Sequence, residues 1–60
     1  MNIAEAKDLG AAAFQTDGPR AVVLRADFER FLTADGNLNQ SAVRAYIQGW
    51  DEANLAAPVA

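Results

Sequence analysis

The sequence predicts a small all-α domain of two or three helices, in which the first and last helices form an antiparallel hairpin. Two long segments repeat apolar residues at helical spacings of three and four. Glycine and proline residues separate these segments, and a glycine lies within each of them. The 60 residues make one domain, 1–60, and a chain of this length buries only about 60% of the surface that its unfolded form exposes. We therefore expect oligomerisation or a partner.

The first helix is predicted over Ile3 to Gln15. Asn2 is suited to be its N-cap, and Glu5 then stands at the third helical position of an arrangement like a capping box. One face carries mostly small residues, and it consists of Ile3, Ala6, Gly10, Ala13 and Phe14. We expect Ala6, Gly10 and Ala13 to form a shallow groove on this face.

A turn is predicted over 16–19, where Gly18 can take a positive φ and Pro19 disfavours helix in the residue before it. The short apolar run at 22–24 is compatible with an extended segment across the core or with a helix start, and we favour extended or irregular structure over 21–25. Bulky apolar residues available for the core are Ile3, Leu9, Phe14, Val22, Val23, Leu24, Phe28, Phe31, Leu32, Leu38, Val43, Tyr46, Ile47, Trp50, Leu55 and Val59.

A short second helix is predicted from an N-cap at Asp27 to Ala34, and 35–37 should stop it. Its apolar face would hold Phe28, Phe31 and Leu32. The third helix should begin near Asn39 and end near Ala56, because Pro58 bars its continuation. Its apolar stripe consists of Val43, Tyr46, Ile47, Trp50 and Ala53.

Gly49 predicts how the outer helices pack. Glycine costs a helix interior about 1 kcal/mol relative to alanine, so its position beside Trp50 indicates that another backbone comes close there. We expect Tyr46 and Trp50 to fill the groove on the first helix while Gly49 lets the two backbones approach.

Composition excludes several kinds of chemistry. Cysteine and histidine are absent, which removes disulfides, thiolate metal sites and nucleophilic catalysis that needs histidine. We expect no cofactor and no metal. The net charge of −3 disfavours nucleic acid or the ribosome as a partner. No signal peptide or membrane span is apparent, so we expect a cytoplasmic protein without membrane contact.

Two local patterns have stronger structural explanations than chemical ones. The segment 33–39 imitates the middle of an EF-hand loop, but its register puts Phe31 and Ala42 where calcium needs carboxylates, so a turn is the better interpretation. The carboxylate pairs of Glu5 with Asp8 and Asp51 with Glu52 do not converge as catalytic pairs would, because the first suits a helix start and adjacent helical residues diverge.

The candidate partner-binding residues are Tyr46, Trp50, Arg20, Arg25 and Arg30, since these residue types are enriched in binding hot spots. Each has an alternative role. Trp50 is also suited to the core. The arginines, which recur every five residues, are also suited to a solvated face with a pair between Asp27 and Arg30.

The segment Tyr46-Ile47-Gln48-Gly49-Trp50-Asp51-Glu52-Ala53 resembles the C-terminal Trp-x-x-Gly-Trp-x-x-(Gly/Ala) segment of the ribosome modulation factor family. The wider arrangement, with Gly18-Pro19-Arg20 between an early and a late helix, also resembles small proteins of actinobacteria and their phages. The resemblance implies a helical hairpin with Gly49 and Trp50 as structural residues. Ribosome binding in that family depends on a basic chain, whereas this chain is acidic and has Tyr46 where the pattern has tryptophan.

These observations lead to one expected function and one alternative. We expect a non-enzymatic regulatory or adaptor protein that binds a protein partner or forms a homo-oligomer. The alternative is a ribosome- or RNA-associated factor of the modulation-factor kind. A DNA-binding helix-turn-helix is less well supported, because the third helix has Arg44 as its only basic residue.

Overall fold

A computed structural model describes residues 1–58, in the order α1 (Ile3–Gln15), a first 3₁₀ turn (Val22–Leu24), a second 3₁₀ turn (Phe28–Phe31) and α2 (Gln40–Ala56). Over these residues no β-strand is present, and a single antiparallel bridge joins Leu32 to Leu38. The predicted all-α class is confirmed. Val59, counted above among the candidate core residues, and Ala60 lie outside the described residues.

The predicted first helix is confirmed at both ends. Asn2 caps it, since its Oδ1 accepts a hydrogen bond from the Glu5 N–H at 2.7 Å. At the other end, Gly18 N–H donates to the Ala13 carbonyl at 2.6 Å, which closes a Schellman motif. The left-handed residue of that motif is Asp17, with φ of 58°, and not Gly18 as predicted. Aspartate tolerates this conformation, while a Cβ on Gly18 would lie 3.1 Å from the Ala13 oxygen.

The last helix also follows its prediction closely. Asn39 caps α2 by accepting a hydrogen bond from the Ala42 N–H at 3.2 Å, and the helix ends at Ala56, two residues before Pro58. Both long helices are thus delimited by signals that lie next to them in the chain.

Reciprocal glycine contacts hold α1 against α2. A Cβ built on Gly10 would lie 2.8 Å from the carbonyl carbon of Tyr46 and nearer still to its oxygen. One built on Gly49 would lie 2.9 Å from the carbonyl carbon of Lys7 and again nearer to the oxygen. In each glycine, the hydrogen in the Cβ position therefore points at a carbonyl oxygen of the other helix, the geometry of a Cα–H···O contact. Lys7 meets Gly49 while Gly10 meets Tyr46, so the helices are antiparallel.

The predicted second helix, Asp27 to Ala34, is replaced by the 3₁₀ turn Phe28–Phe31. Asp27 does not cap it, because its carboxylate binds the guanidinium groups of Arg25 and Arg30 instead. The backbone leaves the turn at Leu32 in an extended conformation, and Phe31 then accepts a hydrogen bond from the Asn39 N–H at 2.6 Å. Gly36, with φ of 84°, forms the tip of the resulting loop.

The core lies between the helices and under the two 3₁₀ turns. Its large buried side chains are Val22, Phe31 and Tyr46, and the rings of Phe31 and Tyr46 meet edge to face with centroids 5.4 Å apart. Alanines are the other buried apolar residues, and they are Ala6, Ala13, Ala42 and Ala45. The predicted groove of Ala6, Gly10 and Ala13 is therefore present, but the predicted stripe of α2 omitted Ala42 and Ala45. Five more apolar residues are partly buried against this core, and they are Leu9, Leu38, Val43, Ile47 and Trp50. Apolar burial in so short a chain gives modest stability.

Candidate functional site

The segment from Gly18 to Arg20, here called the strap, is fixed on α2 by side chains of that helix. Trp50 donates from its indole N–H to the Gly18 carbonyl at 3.2 Å, and the Tyr46 hydroxyl donates to the Pro19 carbonyl at 2.6 Å. Arg20 forms a bidentate ion pair with Asp51, with N–O distances of 2.7 and 2.8 Å. The backbone that follows α1 is thus held in one place before it reaches the 3₁₀ turns.

A cluster around Arg25 fixes the next part of the linker. Its guanidinium binds both oxygens of Asp27 at 2.6 and 2.9 Å, donates to the Tyr46 hydroxyl at 3.2 Å and lies 5.3 Å from the centre of that ring. Hydrogen bonds from Arg25 lower the pKa of Asp27 to about 2. Because Arg25 is half-buried and bonded to both a turn residue and α2, it joins the two 3₁₀ turns to the core.

The structure changes the role of Tyr46, which was predicted to contact a partner. Its side chain is fully buried, and its hydroxyl is bonded to the Pro19 carbonyl and to Arg25. Tyr46 is therefore a core residue and offers no surface to a partner. Trp50 is half-buried and packs edge to face on Phe14, with ring centroids 5.1 Å apart. Its indole N–H donates a hydrogen bond to the strap.

All three candidate arginines are paired with carboxylates. Arg20 binds Asp51, while Arg25 and Arg30 share Asp27, with the Arg30 bond the longest at 3.5 Å. The alternative pair between Asp27 and Arg30 is thus present. This pairing leaves the linker without the run of uncompensated positive charge that a phosphate backbone would attract.

Three large apolar side chains remain exposed on the 3₁₀ turns, and we call them the turn patch: Val23, Leu24 and Phe28. Their exposed fractions are 56%, 74% and 37%. Their neighbours Val22 and Phe31, one at each end of the two turns, are buried. The turns are joined by a hydrogen bond from the Phe28 N–H to the Arg25 carbonyl at 3.3 Å. The exposed apolar residues thus lie on a stretch of backbone whose two ends are anchored by buried side chains.

The sequence does not predict the turn patch. Its pattern places Phe28 on the apolar face of a short helix and favours extended or irregular structure over 21–25. One signal was available: in a run of three apolar residues, a tight turn can bury one side chain while the others point outward. Val22 is the buried member of this run.

Other exposed apolar residues lie at the open end of the hairpin, and we call them the end patch: Met1, Ile3 and Leu55. Charged residues lie close to this patch in the sequence. Glu52 is one helical turn before Leu55 and pairs with Lys7 at 3.2 Å, and Glu5 is in the first turn of α1 beside Ile3. The carboxylate of Glu52 has a lowered pKa, mainly because Gln48 donates a hydrogen bond to it and also because Lys7 is near.

Residues 1–58 form neither a pocket nor a group of three or more acidic side chains that could hold a metal ion. Over the same residues, no helix has both the length and the apolar character that crossing a bilayer requires. The exposed large apolar side chains of the described surface are those of the turn patch, which has ion pairs beside it, and those of the end patch. No family model, no curated protein and no solved structure matches the chain.

Proposed function

We propose that this chain is a small non-enzymatic regulatory or adaptor protein that acts by binding, through the turn patch, another protein or a second copy of itself. The observation that carries the proposal is the exposure of Val23, Leu24 and Phe28 on turns that hydrogen bonds and ion pairs attach to the core. Val23 and Leu24 are adjacent in the chain, and neighbouring apolar side chains that stay exposed are a feature of interaction sites.

The attachment of the turns to the core supports this role. A binding surface that is already ordered loses little conformational entropy on association, so more of the contact energy appears as affinity. The Arg25 cluster and the buried Val22 and Phe31 supply that order here. Leu24, the most exposed of the three, adds little to the folded core and is free to enter an apolar surface on a partner.

Composition supports a non-enzymatic role, because the chain has neither histidine nor cysteine. The ribosome- or RNA-associated alternative lacks a supporting observation in the fold. Its arginine-bearing middle is neutralised by Asp27 and Asp51, and the chain carries a net charge of −3.

Affinity capture with matched variants tests the proposal. The full chain, Leu24→Ser and Leu55→Ser would be immobilised and exposed to lysate of the host cells. Leu55 is the control, since it is 84% exposed but lies in the end patch. We expect captured chains, of either kind, to be lost with Leu24→Ser and retained with Leu55→Ser, while circular dichroism shows equal folding. Equal capture by both variants, or none by the unchanged chain, would contradict the proposal. Co-migration with ribosomes that survives moderate salt would favour the alternative.

A further inference from the structure

We infer that Asp35 is a modification site, at which the folded chain isomerises spontaneously to isoaspartate. An aspartate isomerises when the backbone nitrogen of the next residue attacks its side-chain carboxyl group. Glycine allows this attack most readily, because it has no Cβ to hinder the approach. Two aspartates of this chain precede a glycine, and they are Asp17 and Asp35. The two have different surroundings in the fold, and those surroundings select Asp35.

The reaction at Asp35 needs no reagent other than water. The Gly36 nitrogen forms a bond to Cγ of the neutral Asp35 carboxyl group, and the hydroxyl of that group leaves with the amide proton as water. The product is a cyclic succinimide. Water then adds to the main-chain carbonyl carbon of Asp35, the bond from that carbon to the Gly36 nitrogen breaks, and the nitrogen regains a proton. The backbone of the resulting isoaspartate runs through Cβ and Cγ, and the water taken up equals the water released.

Asp35 lies in the loop between the second 3₁₀ turn and α2, where every residue of 33–37 is exposed. The Gly36 N–H donates to the Thr33 carbonyl at 3.0 Å, and the Thr33 N–H donates to the Asn37 carbonyl at 2.6 Å. Among residues 1–58, no atom beyond its chain neighbours lies within 4 Å of a Cβ built on Gly36. Hydrogen bonds in an exposed loop without packed side chains open locally at low free-energy cost. The Gly36 nitrogen can therefore reach the carboxyl group while the helices stay in place.

Asp17 is also exposed, but the backbone that would have to move is held on α1 and on α2. The Gly18 N–H donates at 2.6 Å within the Schellman motif, and the Gly18 carbonyl accepts the indole N–H of Trp50. The next carbonyl, that of Pro19, accepts the hydroxyl of Tyr46. Attack by the Gly18 nitrogen requires both the end of α1 and the strap to shift, which breaks contacts to the core. The fold therefore protects Asp17, although it belongs to the same dipeptide.

The fold also accommodates the product at Asp35. Isomerisation adds a carbon atom to the backbone of the loop and moves the carboxylate onto Cα. Because the side chains of 33–37 are exposed, the longer connection changes no buried contact. Leu32 and Leu38 form the antiparallel bridge that flanks the loop, and the core lies beyond it. We expect the modified chain to stay folded and to accumulate.

Incubation of the full chain at neutral pH, folded in buffer and unfolded in guanidinium chloride, tests the inference. Cleavage by trypsin after lysine and arginine puts the two sites in separate peptides, 8–20 and 31–44. Electron-transfer fragmentation in a mass spectrometer then locates isoaspartate, which has the same mass as aspartate. In the folded chain we expect isoaspartate to form at least about fivefold faster at Asp35 than at Asp17. In guanidinium chloride the two rates should become similar, because the protection of Asp17 is lost.

Asp35→Glu is the matched control. It keeps the negative charge on the loop, but its longer side chain would have to close a larger and less favourable ring. We expect this variant to form no isomer at position 35 and to leave the rate at Asp17 unchanged.

Two results would overturn the inference. One is a folded chain that forms no isoaspartate at Asp35, or forms it less than about fivefold faster than at Asp17. The other is a preference for Asp35 that persists in guanidinium chloride, since the neighbouring sequence and not the fold would then set the rates. Neither result depends on the turn patch, so the proposed binding function is tested separately by capture.

Discussion

Replacing Gly49 with alanine should destabilise the protein although alanine is the better helix former. In a helix interior the change from glycine to alanine contributes up to about 1 kcal/mol of stability. Here the new methyl group would overlap the Lys7 carbonyl, with the carbonyl carbon only 2.9 Å away. A backbone carbonyl cannot rotate aside, so the helices must separate, at the upper end of the about 1–3 kcal/mol typical of overpacking.

The net loss for Gly49→Ala is about 2 kcal/mol, which corresponds to a fall of roughly 10 °C in Tm for a domain of this size. Gly49→Val adds bulk and a stiff side chain, so its loss should approach the roughly 3–5 kcal/mol that a core of this size supplies, and the variant should be largely unfolded. Ala12→Val is the matched control, because Ala12 is an exposed residue of α1 and the change costs only about 0.6 kcal/mol of helix propensity.

Thermal melting followed by far-ultraviolet circular dichroism measures these differences. A rise in Tm for Gly49→Ala would refute the reasoning, because helix propensity would then outweigh a contact that the fold requires. A loss for Ala12→Val equal to that for Gly49→Val would also refute it, since the cost would come from the residue type and not from the close approach.

Further predictions concern the same packing and the linker. The double variant Gly10→Ala with Gly49→Ala should lose less free energy of unfolding, measured in urea, than the two single variants lose in sum. Helices that one methyl group has already separated have room for the other. Tyr46→Phe should lower the free energy of unfolding by about 1–2 kcal/mol in the same assay, since it leaves the Pro19 carbonyl without its donor; no loss would mean that water replaces the hydroxyl. Asp27 has a folded-state pKa near 2, below its unfolded value, so the stability it contributes is present above about pH 4 and is lost as pH falls toward 2. Thermal melts between about pH 6 and pH 2 should show a smaller acid loss for Asp27→Asn than for the unchanged chain, and identical profiles would contradict this.

Local signals made the helices predictable from the sequence. Asn2 and Asn39 are side-chain caps, and Gly49 beside Trp50 indicated a close helix contact. Each of these signals acts within a few residues or through backbone sterics alone. Fold class, helix ends and the glycine packing therefore followed from residues read in order.

The side-chain pairs around Arg25 belong to the part of the fold that the sequence did not predict. Asp27 had the residue type of an N-cap, but Arg25 binds its carboxylate and also reaches Tyr46, which is 21 residues away. Competition between a local cap and an ion pair depends on the tertiary fold, and here the carboxylate of Asp27 pairs with arginines while the predicted helix is a 3₁₀ turn. Phe28, expected on the apolar face of that helix, is 37% exposed.

The central claim is that the turn patch serves association and not folding. Measuring both the stability and the association of Leu24→Ser tests it. Urea unfolding, affinity capture and sedimentation equilibrium would be measured on this variant and on the unchanged chain, with unfolding at a concentration low enough to keep both monomeric. We predict that the unfolding free energy of the monomer stays within about 0.5 kcal/mol, since Leu24 is 74% exposed, while association is lost. A fall of about 2 kcal/mol with association intact would contradict the claim, because Leu24 would then belong to the core.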